Sequence, residues 1–185
     1  MAKNITMPDI AQQYISKSAF ASLYEHTNRS VYRYVYGLIG GSKQEVEDIT
    51  AETFLKAWDA RKRFKGNMQQ ATGWLFTIAK RIVIDRWRKR KVRPQNVNLD
   101  EMLVIADDAT PEERTTIMEQ SRVLVSMLYD LPDDKREIIV LRYLLNWSVN
   151  SIAEHTGKKP NTISVTIRRI LQDLRDNWSD YQEGE

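Results

Sequence analysis

A dense run of basic side chains from Lys80 to Arg93 is the strongest candidate in the sequence for binding an anionic partner. It holds eight Lys and Arg residues against one acid, Asp85. Ammonium and guanidinium groups bind phosphates, while aromatic rings and amides hold unstacked bases. The candidate contacts to single-stranded nucleic acid are Phe64, Asn67, Gln69, Trp74, Lys80, Arg81, Arg86 and Arg88. A solvated helix face would also account for the charge, and a core position would account for Trp74.

A second candidate for nucleic-acid binding lies between residues 149 and 169. Ala153 is small where two helices would cross, and Gly157 can adopt the positive φ of a tight turn. Ile163 follows at the spacing that anchors a second helix in the core. The pattern predicts a helix-turn-helix, with a helical hairpin of no DNA role as the alternative. Its candidate contacts to phosphates and base edges are Lys158, Lys159, Asn161, Thr162, Ser164, Val165, Arg168 and Arg169.

The stretch from Ser42 to about Arg61 combines carboxylates with large aromatics. Its candidate binding residues are Asp48, Glu52, Phe54 and Trp58. Phe54 and Trp58 are four residues apart, so they occupy neighbouring positions on one helix face. Exposed aromatics are common anchors of protein interfaces, so this face is a candidate docking surface. Ordinary core aromatics beside solvated charges would give the same pattern.

The composition excludes several kinds of site. The 185 residues contain no Cys and two His that lie far apart, so we expect no disulfide, metal centre or cofactor. The longest aliphatic stretch, Ile138 to Leu141, is far shorter than the roughly 20 residues that cross a bilayer. The N-terminus has no apolar signal region. We therefore expect no membrane insertion and a cytoplasmic location.

The elements that must position these residues are all helical. The 7 Gly and 5 Pro are few, and no strand pattern occurs. Apolar residues at helical spacing predict a helix ended by Gly40-Gly41, a second capped by Ser42, and a third starting at Thr72 and ending before Pro94. A short helix is expected around residues 9–14, and residues 65–71 are expected to form a polar loop.

An acidic stretch follows Pro94 and reads as a linker. Beyond it, the spacing predicts a helix from about Ile117 to Leu131, and a second with Pro132 at its first position. A turn near Asn146 precedes the two helices of the helix-turn-helix. We expect an all-α chain of two small domains, residues 1–93 and 119–185, joined by the acidic linker 94–118. The second domain is expected to be a winged-helix-like group of four helices.

Taken together, these segments resemble an extracytoplasmic-function (ECF) sigma factor, a bacterial protein that directs RNA polymerase to promoters. The segment 48–58 resembles the family's polymerase-docking helix, and residues 73–93 resemble its promoter-melting helix. Leu131-Pro132 and the helix-turn-helix resemble the domain that reads the minus-thirty-five element. The order and spacing of the three segments give the resemblance its strength.

The resemblance implies partners and roles for the candidate residues. The β′ clamp helices of core RNA polymerase would contact Asp48, Glu52, Phe54 and Trp58, and the β flap would be a further contact. Residues 64–71 would hold a flipped base of the minus-ten element, with Asn67 as its reader, and residues 158–169 would bind double-stranded promoter DNA. The linker would run toward the RNA exit channel. An anti-sigma factor is also implied.

Four positions depart from the family pattern. Ala51 stands where Gln is usual, and Ser151 replaces the usual Glu of a capping box. Ser164 and Thr166 occupy positions that usually hold Lys or Arg, so phosphate binding there is expected to be weaker or the sequence preference shifted.

Two other classes of protein compete with this interpretation. A conventional transcription regulator would use its first domain for dimerisation or sensing, and only its helix-turn-helix would touch DNA. A recombinase-like enzyme is disfavoured because the sequence has no Arg-His-Arg-Tyr cluster, no acidic metal triad and no Ser nucleophile with a neighbouring base. We therefore expect no enzymatic activity.

Overall fold

The computed structural model describes residues 15–40, 42–90 and 123–183, and seven helices run through them. The helices are α1 (Lys17–Ile39), α2 (Lys43–Ala60), α3 (Met68–Arg90), α4 (residues 123–130), α5 (Asp133–Ile139), α6 (Val149–Thr156) and α7 (Pro160–Glu183). Within these ranges no strand occurs, which confirms the all-α prediction. In the described part of the chain, no helix is long and apolar enough to span a membrane. The expected short helix at residues 9–14 and the linker 94–118 lie outside the described residues.

The first three helices form one bundle, each packed on the other two. Ser16 caps α1 by accepting a hydrogen bond from the Ala19 backbone N–H, and Gly40 ends it in the left-handed conformation with φ 54°. Ser42 caps α2 through the Glu45 backbone N–H at 3.3 Å. These local signals are strong in the sequence, and both predicted boundaries are confirmed.

The start of α3 differs from the prediction. The helix begins at Met68 instead of Thr72, so the predicted loop over residues 65–71 is wrong in its second half. The Gln70 N–H donates to Asn67 Oδ1 at 2.9 Å, and the Asn67 N–H donates to Gln70 Oε1 at 2.9 Å. This reciprocal pair satisfies two backbone donors at the helix start, as a capping box does. Asn67, not the Thr72 hydroxyl, therefore begins the helix.

Helices α4 to α7 form the second half of the described chain. Pro132 is the N-cap of α5, so this helix begins at Asp133, one residue later than predicted. A π-helical turn, Val140–Leu144, extends α5, and Asn146 then reverses the chain with φ 55°. Gly157 adopts φ 68° between α6 and α7, as the helix-turn-helix pattern requires.

The two halves pack against each other across α1. The α1 helix contacts both α5 and its π-helical turn. A Cβ atom at Gly37 would lie 2.8 Å from a methyl group of Val140, and one at Gly40 would lie 2.3 Å from the Tyr129 ring. The Tyr129 hydroxyl donates to the Tyr36 carbonyl at 3.1 Å. Glycine at these two positions is what allows the backbone of α1 to approach the second half so closely.

Candidate nucleic-acid and protein interfaces

The loop before α3 is organised by a ring pair. Phe64 and Trp74 are half-buried, with ring centroids 4.7 Å apart and planes inclined by 31°. Asn67 and Gln69 are exposed beside them, although the Asn67 amide oxygen is used in the cap of α3. The loop therefore brings together the aromatic and amide residues that the sequence suggested, with Asn67 also needed for local folding.

The basic residues of α3 fall into two groups. Arg81 and Arg88 are exposed. Arg86 lies 2.9 Å from Glu52 of α2, and Lys80 lies 2.5 Å from Glu137 of α5. Of the four basic residues predicted to contact phosphates, two are therefore exposed to solvent. The other two form ion pairs with carboxylates of the protein itself.

The carboxylates and aromatics of α2 lie in different surroundings. Asp48 is exposed and accepts a hydrogen bond from Gln44, whereas Glu52 forms ion pairs with Lys56 and Arg86. The hydrogen bond from Arg86 is the main cause that holds the pKa of Glu52 below its usual value. Asp48 and Glu52 therefore form a charged surface.

The aromatics of α2 pack toward α1 instead. Phe54 is buried with its ring 4.7 Å from that of Tyr24, and half-buried Trp58 lies 5.2 Å from the Phe20 ring. The Arg61 guanidinium covers Trp58 at 3.5 Å. Phe54 and Trp58 thus hold α2 against α1 instead of projecting freely into solvent.

An exposed apolar residue on α2 was missed by the sequence reasoning. Leu55 is 66% exposed and lies three residues after Glu52 and seven after Asp48, on the same helix face. A leucine side chain loses apolar area to water when a partner covers it, so Leu55 is a further candidate for a docking contact. The signal in the sequence was an apolar residue outside the spacing of the buried positions Ile49, Thr53 and Ala57. We call Asp48, Glu52 and Leu55 the α2 face.

The helix-turn-helix is built as its sequence predicts. Ala153 and Ile163 are buried at the crossing of α6 and α7, and Ser148 caps α6 through the Ser151 N–H at 3.1 Å. The residues exposed along the start of α7 and the turn before it are Lys158, Lys159, Asn161, Thr162, Ser164, Arg168 and Arg169, and Val165 is half-buried. Lys158 pairs with Asp134 at 3.0 Å. A helix with one buried edge and a row of exposed donors can enter a DNA groove.

A buried ionic cluster around Glu137 was also missed. Glu137 is 2% exposed and accepts hydrogen bonds from the Tyr34 hydroxyl at 2.6 Å and Lys80 at 2.5 Å, with His155 Nε2 at 3.3 Å. Its partners come from α1, α3 and α6, so no local pattern in the sequence could reveal it. We call these four residues the Glu137 cluster.

The charge state of Glu137 follows from its partners. Burial alone raises its pKa, but the hydrogen bonds from His155, Lys80 and Tyr34 outweigh burial and lower the pKa to about 2. A lowered carboxyl pKa stabilises the fold above the unfolded value of about 4.3, and this stabilisation is lost as the pH falls toward 2. Glu137 is therefore a carboxylate at neutral pH. Within the described ranges, no group of three His, Cys, Asp or Glu could hold a metal ion.

Comparisons with known proteins assign the two halves. An all-helical chain with a basic helix and a helix-turn-helix has the features of a nucleic-acid-binding transcription protein. Residues 23–93 match the family described as Sigma-70 region 2, and residues 121–174 match Sigma-70, region 4. The chain belongs to the sigma-70 family, in its ECF group, and is an alternative sigma factor that directs transcription initiation.

Similar proteins agree with this assignment. The chain is 31% identical over 157 residues to the ECF sigma factor BldN of Streptomyces coelicolor, covering 84% of this chain and 59% of BldN. It is 29% identical over 175 residues to SigW of Bacillus subtilis, covering 89% of this chain and 91% of SigW. Among solved structures, the sigma factor RpoE in complex with the anti-sigma factor NepR from Bartonella quintana has a TM-score of 0.63 at 21% identity. That match covers 85% of this chain and 94% of RpoE, and it shows the likeness of fold.

Proposed function

We propose that this sigma factor binds core RNA polymerase through the α2 face and promoter DNA through α3 and α7. It would act by binding alone, in the cytoplasm, without catalysing a reaction. The observation that carries the proposal is the separation of surfaces: Leu55 and its carboxylates on α2 lie apart from the exposed donors of α7.

The residue roles in this proposal follow the family order. The domains would be residues 1–93 for docking and minus-ten recognition, 94–118 as linker, and 119–185 for minus-thirty-five recognition. Polymerase would meet Asp48 and Glu52 at the β′ clamp helices, above Phe54 and Trp58, and would meet the second domain at the β flap. The melted strand would contact Phe64, Asn67, Gln69, Trp74, Lys80, Arg81, Arg86 and Arg88. The duplex would contact Lys158, Lys159, Asn161, Thr162, Ser164, Val165, Arg168 and Arg169.

An anti-sigma factor is a further proposed partner. RpoE of Bartonella quintana was solved with NepR, and CnrH was solved with the cytosolic domain of CnrY at a TM-score of 0.61 to this chain. The first of these complexes pairs a sigma factor with an anti-sigma factor, and the second pairs CnrH with a domain of another protein. A similar fold offers comparable surfaces, so we propose a protein partner of this kind here.

The proposal is tested by mixing the purified chain with core RNA polymerase. We expect co-elution on gel filtration and run-off transcription from a cognate promoter found by sequencing transcripts made by the reconstituted holoenzyme. The alternative regulator would instead bind a DNA site tightly without polymerase. Specific DNA binding without core, together with no co-elution, would reject the sigma-factor mechanism.

The ring pair at the minus-ten loop gives a prediction about promoter melting. Phe64→Ala should reduce open-complex formation, since stacking of one base is worth ~1 to 3 kcal/mol. Asn67→Ala should do the same but also removes a helix cap, at a cost of ~1 kcal/mol of stability. Permanganate reactivity of the melted strand is the measurement. Gln70→Ala is the matched control because it breaks the other half of the cap, and equal effects of Asn67→Ala and Gln70→Ala would remove Asn67 as a base reader.

The exposed side chains of α7 give a prediction that separates two kinds of DNA contact. Arg169→Ala should weaken binding to all duplex sequences and reduce the slope of log affinity against log salt by about one unit, as expected for one lost phosphate contact. Ser164→Ala removes a hydroxyl without a charge, so it should change base preference by at most ~1 to 3 kcal/mol and keep the slope. Binding isotherms of the holoenzyme on two promoter variants at several salt concentrations decide both. An unchanged slope for Arg169→Ala would reject its phosphate role, and an unchanged preference for Ser164→Ala would reject its reading role.

A further inference from the structure

The turn between α2 and α3 carries a second concentration of positive charge. Its basic residues are Arg61, Lys62, Arg63 and Lys65. Arg61 is already engaged within the protein, because its guanidinium covers the Trp58 ring at 3.5 Å and donates to the Trp58 carbonyl at 2.6 Å. The other three side chains are exposed. We call Lys62, Arg63 and Lys65 the basic turn.

The charge of the basic turn is not neutralised by neighbouring carboxylates. Within residues 15–40, 42–90 and 123–183, no carboxylate lies within ion-pair distance of its three side chains. Asp59 is the nearest acid in the sequence and is itself exposed. The α3 helix differs, since its Lys80 and Arg86 are paired with carboxylates. The basic turn is therefore a denser source of available positive charge than the exposed face of α3.

The basic turn flanks an aromatic ring. Phe64 stands between Arg63 and Lys65 in the sequence, and its ring lies 4.7 Å from that of Trp74. A Cβ atom at Gly66 would lie 2.9 Å from Phe64 Cζ, so the chain after Lys65 folds back against the ring. Two residues of backbone span at most about 7 Å, so the Cα atoms of Arg63 and Lys65 both lie close to Phe64.

The backbone of the turn is held in shape at both ends. The Arg63 N–H donates to the Ala60 carbonyl at 2.9 Å, and the amide pair of Asn67 and Gln70 fixes the start of α3. These contacts use backbone groups and neighbouring amides, so they leave the three cationic side chains available. A ligand of the basic turn therefore binds without first ordering the loop, which lowers the entropic cost of binding.

We propose that the basic turn binds the sugar-phosphate backbone of a DNA strand whose unstacked base lies against the Phe64–Trp74 ring pair. Every nucleotide within a strand has a phosphate on each side, and cations on both sides of one ring suit that arrangement. The contact does not depend on the identity of the base. The identity of the strand as the melted minus-ten element rests on the proposed function, whereas binding of single-stranded DNA by the turn does not.

A purely structural role would account for part of this charge. Lys62 and Arg63 follow the C-terminal end of α2, where cations interact favourably with the helix dipole. Lys65 lies five residues beyond Ala60, the last residue of α2, and so falls outside the range of this effect. A dipole contact would leave the salt dependence of DNA binding unchanged, so that dependence is the measurement that separates the two roles.

The test measures binding of a labelled oligothymidylate of about 20 nucleotides to the full chain by fluorescence anisotropy at several salt concentrations. The triple variant Lys62→Ala/Arg63→Ala/Lys65→Ala should bind about tenfold more weakly than wild type at low salt. The slope of log affinity against log salt should fall by about two units, since each phosphate contact to a single strand contributes ~0.7.

A second triple variant controls for net charge. Arg29→Ala/Arg33→Ala/Lys43→Ala removes three positive charges from exposed positions elsewhere on α1 and α2, so it should keep the wild-type slope. Equal losses in the two triple variants would overturn the proposal, as would a wild-type chain that does not bind the strand.

The ring is tested separately from the charges. Phe64→Leu keeps an apolar side chain at this position but removes the stacking surface, so it should lower affinity about fivefold or more and leave the salt slope unchanged. Unchanged affinity for Phe64→Leu would overturn the placement of the base against the ring pair.

Failure of the proposed function gives a different result. A chain that binds the strand through the basic turn but does not co-elute with core RNA polymerase keeps this inference and loses the sigma-factor mechanism. Conversely, normal co-elution and run-off transcription, together with equal strand affinities for wild type and the basic-turn variant, would keep the sigma-factor mechanism and reject the basic turn.

Discussion

Arg136→Ala is expected to lower the free energy of unfolding by ~3 to 5 kcal/mol, the largest effect of any single substitution considered for this fold. Arg136 is 1% exposed, and each nitrogen of its guanidinium group donates at least one hydrogen bond. It donates to the backbone carbonyls of Leu128, Tyr129, Leu131 and Leu38. Alanine would remove the guanidinium donor from all four carbonyls, of which Leu128 keeps the Leu131 backbone N–H and Leu38 is buried. An unsatisfied buried group costs ~1 to 3 kcal/mol.

The geometry of the guanidinium explains why no other side chain can take its place. The carbonyls of Leu128, Tyr129 and Leu131 surround the turn between α4 and α5, and the Leu38 carbonyl comes from the end of α1. A planar fork of five N–H donors reaches all four, whereas the ammonium group of lysine is a single point. Arg136→Lys should therefore recover only part of the lost stability.

Urea denaturation followed by circular dichroism measures this effect. Arg169→Ala is the matched control, since Arg169 is exposed and surface substitutions usually change stability by less than ~0.5 kcal/mol. A loss below ~1 kcal/mol for Arg136→Ala would mean that water replaces the guanidinium and that the turn does not depend on it.

The parts of the fold that follow from the sequence are those fixed by neighbouring residues. Ser42 caps α2 and Gly157 turns the helix-turn-helix because the groups they satisfy lie within a few residues. The start of α3 was misplaced although it is also local. Its cap uses the amides of Asn67 and Gln70, whereas the sequence pattern favoured the hydroxyl of Thr72.

The contact between the two halves could not be derived in this way. Tyr34 and Glu137 are 103 residues apart in sequence, and the hydrogen bond between them depends on how complete helices pack. A charged residue beside the apolar run that starts at Ile138 gives no sign of its partners. Leu55 is the opposite case, because an apolar residue outside the buried spacing of α2 was visible in the sequence and was overlooked.

The α2 face gives the prediction with the largest expected effect on function. Glu52→Lys should weaken binding to core RNA polymerase by roughly tenfold or more, equivalent to ~1.4 kcal/mol. The reversed charge would stand beside Lys56 and Arg86 and turn a mixed-charge surface into a positive one. Folding should survive, because ion pairs this exposed contribute only ~0 to 1 kcal/mol.

Three further variants identify what polymerase recognises on this face. Leu55→Ser should also weaken binding, because it removes the apolar area that Leu55 would bury against polymerase. Glu52→Gln should have a smaller effect than Glu52→Lys because it removes a charge without reversing it. Glu47→Lys is the matched control, as Glu47 is exposed on the same helix but points about 140° away from Glu52.

Core polymerase is titrated into the labelled wild type and each of the four labelled variants, and fluorescence anisotropy gives the affinity of each. Electrostatic recognition predicts that the loss for Glu52→Lys shrinks as salt rises, whereas the loss for Leu55→Ser does not. Duplex DNA binding by the isolated chain should be the same for all variants, because α7 lies on another surface. If Glu52→Lys and Glu47→Lys reduce polymerase affinity equally, the effect is one of net charge and the α2 face is not the docking site.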